Sequence, residues 1–129
     1  MSLTDRDIAL IQGSLRQELQ ELDILEEASN IPINANATNV EVIPETSIEA
    51  YKYKTVSIRA DYALTFKLYA YDDPNEFDTA DLYYTANLTA NRTSTYSFEE
   101  DFRLAKVLVD NPNTVGHTVT RCRVKGRRL

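Results

Sequence analysis

The amino-acid sequence predicts a mainly β protein. It predicts a small antiparallel β-sandwich, of jelly-roll or immunoglobulin-like type, preceded by an N-terminal amphipathic α-helix and an extended linker. Two observations lead to this prediction. Apolar residues recur every three to four positions near the start of the chain, and at every second position further along. We therefore expect the helix within residues 1–28, the linker over 29–47 and the β-sandwich domain over 48–129.

The helix is predicted over residues 4–28, because Thr4 and Asp5 are good N-cap residues and no proline interrupts the segment. Its apolar side chains form one stripe along the helix: Ile8, Ile11, Leu15, Leu19, Leu22 and Leu25. An exposed row of this kind is an association site, so we expect it to be an oligomer or partner interface, or to dock on its own domain. A coiled coil is a further alternative, although Glu18 would interrupt its seam.

Residues 29–47 are predicted to be an extended linker, since Pro32 and Pro44 disfavour helix and the Asn-, Ala- and Thr-rich composition offers little to bury.

From residue 56 the apolar positions alternate with polar ones, which is typical of half-buried strands. The stretch 56–70 predicts two strands with a corner near Ala60–Ala63. Further strands are predicted at 81–89, 93–99, 103–109 and 115–124, with turns at 71–80 and 110–114. Short strands at regular spacing, with no helical period between them, favour a sandwich.

Charge is unevenly distributed along the chain. The net charge is −6; up to Asp110 there are nine basic and 20 acidic residues, giving −11, and after it five basic residues and no acidic one, giving +5. The acidic, lysine-poor and threonine-rich composition fits a halophilic source, although many mesophilic proteins share it.

The basic residues at the end of the chain form a candidate docking face: Arg121, Arg123, Lys125, Arg127 and Arg128. The first three alternate, so they share one face of the last strand while Cys122 and Val124 point inward. Two interpretations remain open: a charged edge strand that blocks unwanted sheet pairing, or docking onto the acidic surface of a neighbouring copy. Nucleic acid is disfavoured, because the chain is acidic overall and lacks interleaved aromatic and basic residues.

Tyrosine is common, with eight residues, and there is no tryptophan. In the predicted strands several tyrosines have the parity opposite to the apolar positions, which places Tyr69 and Tyr71 on an outer face as candidate ligand-binding residues. Outward tyrosines can bind sugar or protein. The strand propensity of tyrosine explains them equally well.

Groups for catalysis are scarce, so we expect no enzyme and no cofactor. The single His117 and the single Cys122 are five residues apart, which in a regular strand places them on opposite faces. With three glycines, a phosphate-binding loop is disfavoured, and no known catalytic or metal-binding motif occurs. The acidic segment 72–81 is a calcium candidate for which a solvated turn is the favoured alternative.

The sequence indicates neither glycosylation nor a membrane span. Sequons occur at Asn36, Asn87 and Asn91, about as many as the composition gives by chance, so glycosylation is not indicated. No apolar run is long enough for a membrane span, and the start lacks the pattern of a signal peptide.

Four segments of the β region, 53–61, 64–73, 102–111 and 118–124, resemble the strands of the small β-sandwich domains of tailed-virus virion proteins. Those domains occur on tail fibres, baseplates and head decorations. The likeness lies in the strand patterns, such as Val56-Ser57-Ile58 followed by Asp61, and Thr118-Val119-Thr120-Arg121. Ala63 stands where that family has a turn glycine.

This resemblance implies a structural virion protein, plausible for an archaeal tailed virus, which assembles in the host cytoplasm and resides in the virion. The implied partners are other virion proteins and copies of itself, in a homo-oligomer. The alternative is a receptor- or carbohydrate-binding module at a tail tip or spike, which would meet a host-surface glycan.

Overall fold

The computed structural model describes residues 22–128, which form two four-stranded antiparallel sheets. The elements in chain order are β1 Asp23–Ile33, β2 Val40–Ser47, β3 Tyr53–Ala60, β4 Thr65–Tyr71, a short 3₁₀ helix Pro74–Thr79, β5 Leu82–Asn87, β6 Ser94–Phe98, β7 Leu104–Asp110 and β8 His117–Arg127. Sheet I has the order β1-β8-β3-β6, and sheet II has the order β2-β7-β4-β5.

Successive strands alternate between the two sheets except at β4 and β5, which pair directly within sheet II. This arrangement of eight strands is a jelly roll, which confirms the predicted β-sandwich and selects the first of its two types. Jelly rolls occur in viral capsid proteins and in lectins alike, so the fold by itself does not define a function.

The core lies between the sheets and follows the predicted alternation. Val56 and Ile58 of β3 and Phe66 and Leu68 of β4 are at most 1% exposed, and their even-numbered positions all face inward. The corner predicted near Ala60–Ala63 separates these two strands. The strands expected at 81–89, 93–99, 103–109 and 115–124 correspond to β5, β6, β7 and β8.

The start of the described chain corrects the prediction for residues 23–28, which belong to β1 rather than to a helix. Leu25, Ala28 and Ile31 pack against the core at a spacing of three. An irregularity between Ile24 and Glu26 and the left-handed backbone of Asn30, with φ 54°, break the two-residue period and produce a spacing that resembles a helix. Residues 4–21 of the predicted helix lie outside the described residues.

The predicted linker 29–47 is also corrected, because it contains the end of β1 and all of β2. Strand β2 lies at an edge of sheet II and pairs with β7 through two irregularities, which accommodate Pro44. Asn36 and Asn39, with φ 58° and 55°, form the connection between the two strands, so the asparagines supply turn residues. Among residues 22–128 the sandwich therefore begins at Asp23 and not at residue 48.

Among residues 22–128, the structure contains no helix with the length and apolar character that crossing a membrane requires.

Candidate functional site

The outer face of sheet I carries a basic groove, defined here by Arg59, Arg121, Arg123 and Lys125. Three of these side chains come from alternate positions of β8, while Cys122 and Val124 between them are fully buried, as the sequence predicted. Arg59 comes from the neighbouring strand β3, where it is paired directly with Arg121.

The groove has a volume of about 400 Å³, and hydroxyl groups of Ser57, Thr93 and Thr120 contribute to its lining. Arg123 donates a hydrogen bond from Nε to the Glu27 carboxylate on β1 at 3.0 Å. Within residues 22–128, the other three cations of the groove form no ion pair. The groove therefore has positively charged hydrogen-bond donors that are free to bind a partner, together with hydroxyl groups that can donate or accept.

Strand β8 lies between β1 and β3, so the interpretation of the basic residues as guards of an edge strand is wrong. The interior position of β8 could not be read from the sequence, because its partner strand β1 lies roughly 100 residues away along the chain. Arg127 and Arg128 do not extend the groove. Their guanidinium groups lie over the rings of Tyr53 and Tyr51, at 4.8 Å and 5.4 Å from the ring centroids.

The two candidate ligand tyrosines have different positions. Tyr69 lies on the outer face of sheet II, beside Tyr83 of β5 and Phe77 of the 3₁₀ helix. Burial, reinforced by the neighbouring Tyr83, raises the pKa of Tyr69. The sequence did not lead to Phe77 or Tyr83 as candidate site residues. Tyr83 pairs with Tyr69, so its strand parity could have identified it. Phe77 lies in the short 3₁₀ helix, where no two-residue alternation marks it.

Tyr71 is not exposed on the outer face, which corrects that part of the prediction. It is 1% exposed, because the 3₁₀ helix covers the end of β4 and Phe77 meets its ring edge-on. Its hydroxyl donates a hydrogen bond to the Glu45 carboxylate at 2.7 Å, and burial together with this contact raises the pKa of Tyr71.

The apolar stripe predicted as an interface is described only at its end. Ile8, Ile11, Leu15 and Leu19 lie outside the described residues. Leu22 is half-buried just before β1, and Leu25 packs within β1 against the core of its own sandwich. The interface prediction is therefore wrong for Leu25, because a strand rather than a helix directs its side chain.

Within residues 22–128, no hydrogen bond joins His117 and Cys122. The expectation that they lie on opposite faces assumed a regular strand, and that assumption is wrong: a register shift at Thr120 leaves both Val119 and Cys122 pointing inward. Burial raises the pKa of the Cys122 thiol to about 12, which keeps it protonated at neutral pH. The His117 ring stacks on Tyr62 with centroids 4.3 Å apart and lies near the carboxylate of Asp61.

The acidic segment 72–81 uses two of its carboxylates locally. Asp73 caps the 3₁₀ helix by accepting a hydrogen bond from the Asn75 amide at 2.9 Å, and Asp72 accepts one from the Arg103 amide at 3.2 Å. In the described part of the chain, no three His, Cys, Asp or Glu side chains are grouped so that they could hold a metal ion. The sequon residues Asn36, Asn87 and Asn91 are exposed.

No family model matches the chain, and no curated protein matches it. Among solved structures, BiXyn10A CBM1 in its apo form is similar with a TM-score of 0.47 and 8% identity, over 80% of this chain and 98% of that one. A protein of the Bacillus endospore appendages, described as disulfide-linked pili, has a TM-score of 0.43 and 14% identity, over 83% and 91% of the two chains.

A third similar structure contains the CBM22-1 and GH10 modules of Clostridium thermocellum xylanase 10B with xylohexaose. Its TM-score is 0.39 and its identity 13%, over 84% of this chain but only 27% of that one. At these values none of the three assigns a function to the present chain.

Proposed function

We propose that the chain is a non-catalytic structural module that docks through its basic groove onto the acidic surface of another copy in a larger assembly. One observation carries the proposal: Arg59 and Arg121 lie directly opposite each other on β3 and β8, with Lys125 nearby, and none of the three has an ion-pair partner among the described residues. Like charges placed opposite each other destabilise a sheet by up to about 1 kcal/mol, a cost that an anionic partner reverses.

The chemistry of the partner follows from the charge of the chain. Residues up to Asp110 carry a net −11, so a second copy offers carboxylates that complement the groove. Carboxylates form short bidentate hydrogen bonds with arginine, and the hydroxyls of Ser57 and Thr120 at the groove satisfy further acceptors. Complementary surfaces of this kind favour symmetric self-association.

The finer form of the proposal is a virion protein of a tailed virus, as a head-decorating, tail or baseplate component. It is supported by the resemblance of the strand patterns in 53–61, 64–73, 102–111 and 118–124. Mass spectrometry of purified virus particles tests it: the protein is expected among the particle components, and its absence from particles of a culture that expresses it would contradict the virion assignment.

Light scattering after size-exclusion chromatography tests the assembly. The full chain is expected to form oligomers at low salt that weaken at high salt, because exposed charge contacts are screened. The double variant Arg59→Glu with Arg121→Glu should be monomeric. The control Lys52→Glu with Arg103→Glu changes the net charge equally at exposed positions outside the groove and should still assemble. A wild-type monomer at both salt concentrations, or equal loss in both variants, would reject docking through the groove.

A further inference from the structure

The outer face of sheet II has a second, chemically different groove. It is lined on one side by the rings of Tyr69 and Phe77 and has a volume of about 260 Å³. Tyr83 extends the aromatic side, since its ring centroid lies 4.9 Å from that of Tyr69, and Phe77 lies 4.8 Å from Tyr69 on the other side. These three residues, the aromatic row, come from three different elements: β4, the 3₁₀ helix and β5.

The aromatic row is accessible to a ligand. Tyr83 is 51% exposed, while Tyr69 and Phe77 are half-buried. Large rings arranged side by side at the surface are unfavourable in water unless a partner covers them, and such patches mark binding sites. The neighbouring Tyr84 differs, because it faces the cleft between the sheets and packs against Tyr96 at 4.7 Å.

Polar groups of both signs line the rest of the groove. Lys106 lies 3.3 Å from the Glu41 carboxylate and 4.5 Å from the centre of the Phe77 ring. Asn39, Asp78 and Leu108 complete the lining. An ammonium beside a carboxylate offers donors and acceptors within one hydrogen-bond length of each other, and their charges largely cancel.

We propose that this groove binds a neutral pyranose unit of an oligosaccharide. A pyranose ring has an apolar C–H face, which fits an aromatic ring, and hydroxyl groups at its rim that both donate and accept hydrogen bonds. Aromatic rings beside paired charged groups provide both kinds of contact. The volume is close to the lower end of the range for small-molecule sites, roughly 300–1,000 Å³, so the groove holds a short segment of a glycan chain.

The mixed charges distinguish this groove from the basic groove. An acidic sugar fits the cations of sheet I, whereas the Glu41 carboxylate and the neighbouring Asp78 of sheet II repel it. The two grooves lie on opposite outer faces of the sandwich, so a copy that docks through sheet I still presents sheet II to a ligand. This inference does not depend on the proposed assembly.

Native affinity electrophoresis tests the inference with the full chain. Gels contain one soluble polysaccharide each: neutral xylan, hydroxyethylcellulose or galactomannan, and acidic polygalacturonate. At least one neutral gel is expected to retard the protein. Isothermal titration with the matching hexasaccharide then measures the affinity, which Tyr83→Ala or Tyr69→Ala should lower at least about tenfold.

Tyr84→Ala is the matched control, since it removes an adjacent and similarly exposed tyrosine from the other face of β5 and should leave the affinity unchanged. Urea unfolding of each variant verifies that it is folded. Lys106→Met removes the ammonium from the polar side of the groove and should also lower the affinity. No retardation in any neutral gel would overturn the inference, as would equal affinity of wild type and Tyr83→Ala. Retardation only by polygalacturonate, abolished by Arg121→Glu, would overturn it and assign binding to sheet I.

Discussion

The side-chain amide of Asn111 donates a hydrogen bond to the Ile33 carbonyl at 3.1 Å, which joins the turn after β7 to the end of β1. The carbonyls of Asn34 and Val115 lie 3.2 Å and 2.9 Å from the same amide nitrogen, so its two hydrogens are shared among three acceptors. Asn111 is 1% exposed, so these hydrogen bonds form away from water, and the Asn34 carbonyl also accepts from the Ala37 amide at 3.1 Å. One side chain therefore connects three segments at this end of the sandwich.

Asn111→Asp should destabilise the protein strongly although the two side chains have nearly the same shape. A carboxylate cannot donate, so it removes the hydrogen bonds from residue 111 to these carbonyls and repels their oxygens. We expect a loss of at least about 1–3 kcal/mol in the free energy of unfolding, measured by urea titration at neutral pH. Asn91→Asp is the control at an exposed site with φ 60°, where aspartate is tolerated, and should change stability little. Equal stability of the two variants would contradict the assigned role of Asn111.

Lys54 provides the corresponding connection at the other end of the sandwich. Its side chain is 1% exposed, and Nζ donates to the Glu100 carbonyl at 2.6 Å and to the Tyr51 carbonyl at 3.1 Å. Lys54→Met keeps an apolar stem but removes the donors, so it should cost about 1–3 kcal/mol of unfolding free energy in urea titrations. Lys52→Met removes a nearby exposed lysine and is expected to stay within about 0.5 kcal/mol of the wild type. An unchanged free energy of unfolding for Lys54→Met would show that water replaces these hydrogen bonds.

The two described glycines allow a matched comparison of packing. A Cβ atom added at Gly126 would lie 2.5 Å from Cγ of the Tyr51 ring, whereas one added at Gly116 would meet only the Ile33 carbonyl at 3.6 Å. We expect Gly126→Ala to cost about 1–3 kcal/mol through overcrowding, and Gly116→Ala to be neutral or slightly stabilising. Thermal and urea unfolding measure both.

The double variant Gly126→Ala with Tyr51→Ala isolates the cause of that loss. If the Tyr51 ring is responsible, the alanine at position 126 should cost less in the Tyr51→Ala background than in the wild type. An unchanged cost in both backgrounds would place the strain in the backbone instead.

The strands that the sequence predicted well are those with an unbroken two-residue period. Strands β3 and β4 alternate regularly between Val56 and Ala70 because each has one face on the core. Strand β1 was misread because the irregularity between Ile24 and Glu26 and the left-handed backbone of Asn30 convert the period to three.

The candidate site was predictable only in part. The alternation of Arg121, Arg123 and Lys125 follows from local strand geometry, and their common face is therefore visible in the sequence. Arg59 joins them through pairing across β3 and β8, which no local pattern encodes. Tyr71 has the same parity as Tyr69, so the sequence predicts the same face for both. The 3₁₀ helix that carries Phe77 covers Tyr71 but leaves Tyr69 partly exposed.

The contact between Tyr71 and Glu45 predicts how stability changes at high pH. The hydroxyl donates to the carboxylate at 2.7 Å, and burial first, then Glu45, raises the pKa of Tyr71 above its usual value of 10.0. A pKa raised in the folded state gives stabilisation that is fully present below the unfolded pKa and is lost as the pH rises above it. Wild-type unfolding free energy is therefore expected to fall above pH 10.

Tyr71→Phe separates this effect from other alkaline titrations. At neutral pH the variant should be less stable by about 0.5–1.5 kcal/mol, the net value of one hydrogen bond, and a double-mutant cycle with Glu45→Ala should assign that loss to the contact. Above pH 10 the difference between wild type and Tyr71→Phe should shrink and then reverse, since phenylalanine has no hydroxyl to ionise on unfolding. Burial also raises the pKa values of Tyr69, Tyr96 and Cys122, but these groups are present in both proteins and cancel in the difference. Urea titrations across the alkaline range measure the difference in unfolding free energy between wild type and Tyr71→Phe. A difference independent of pH would mean that the Tyr71 hydroxyl ionises as readily in the folded chain as in the unfolded one.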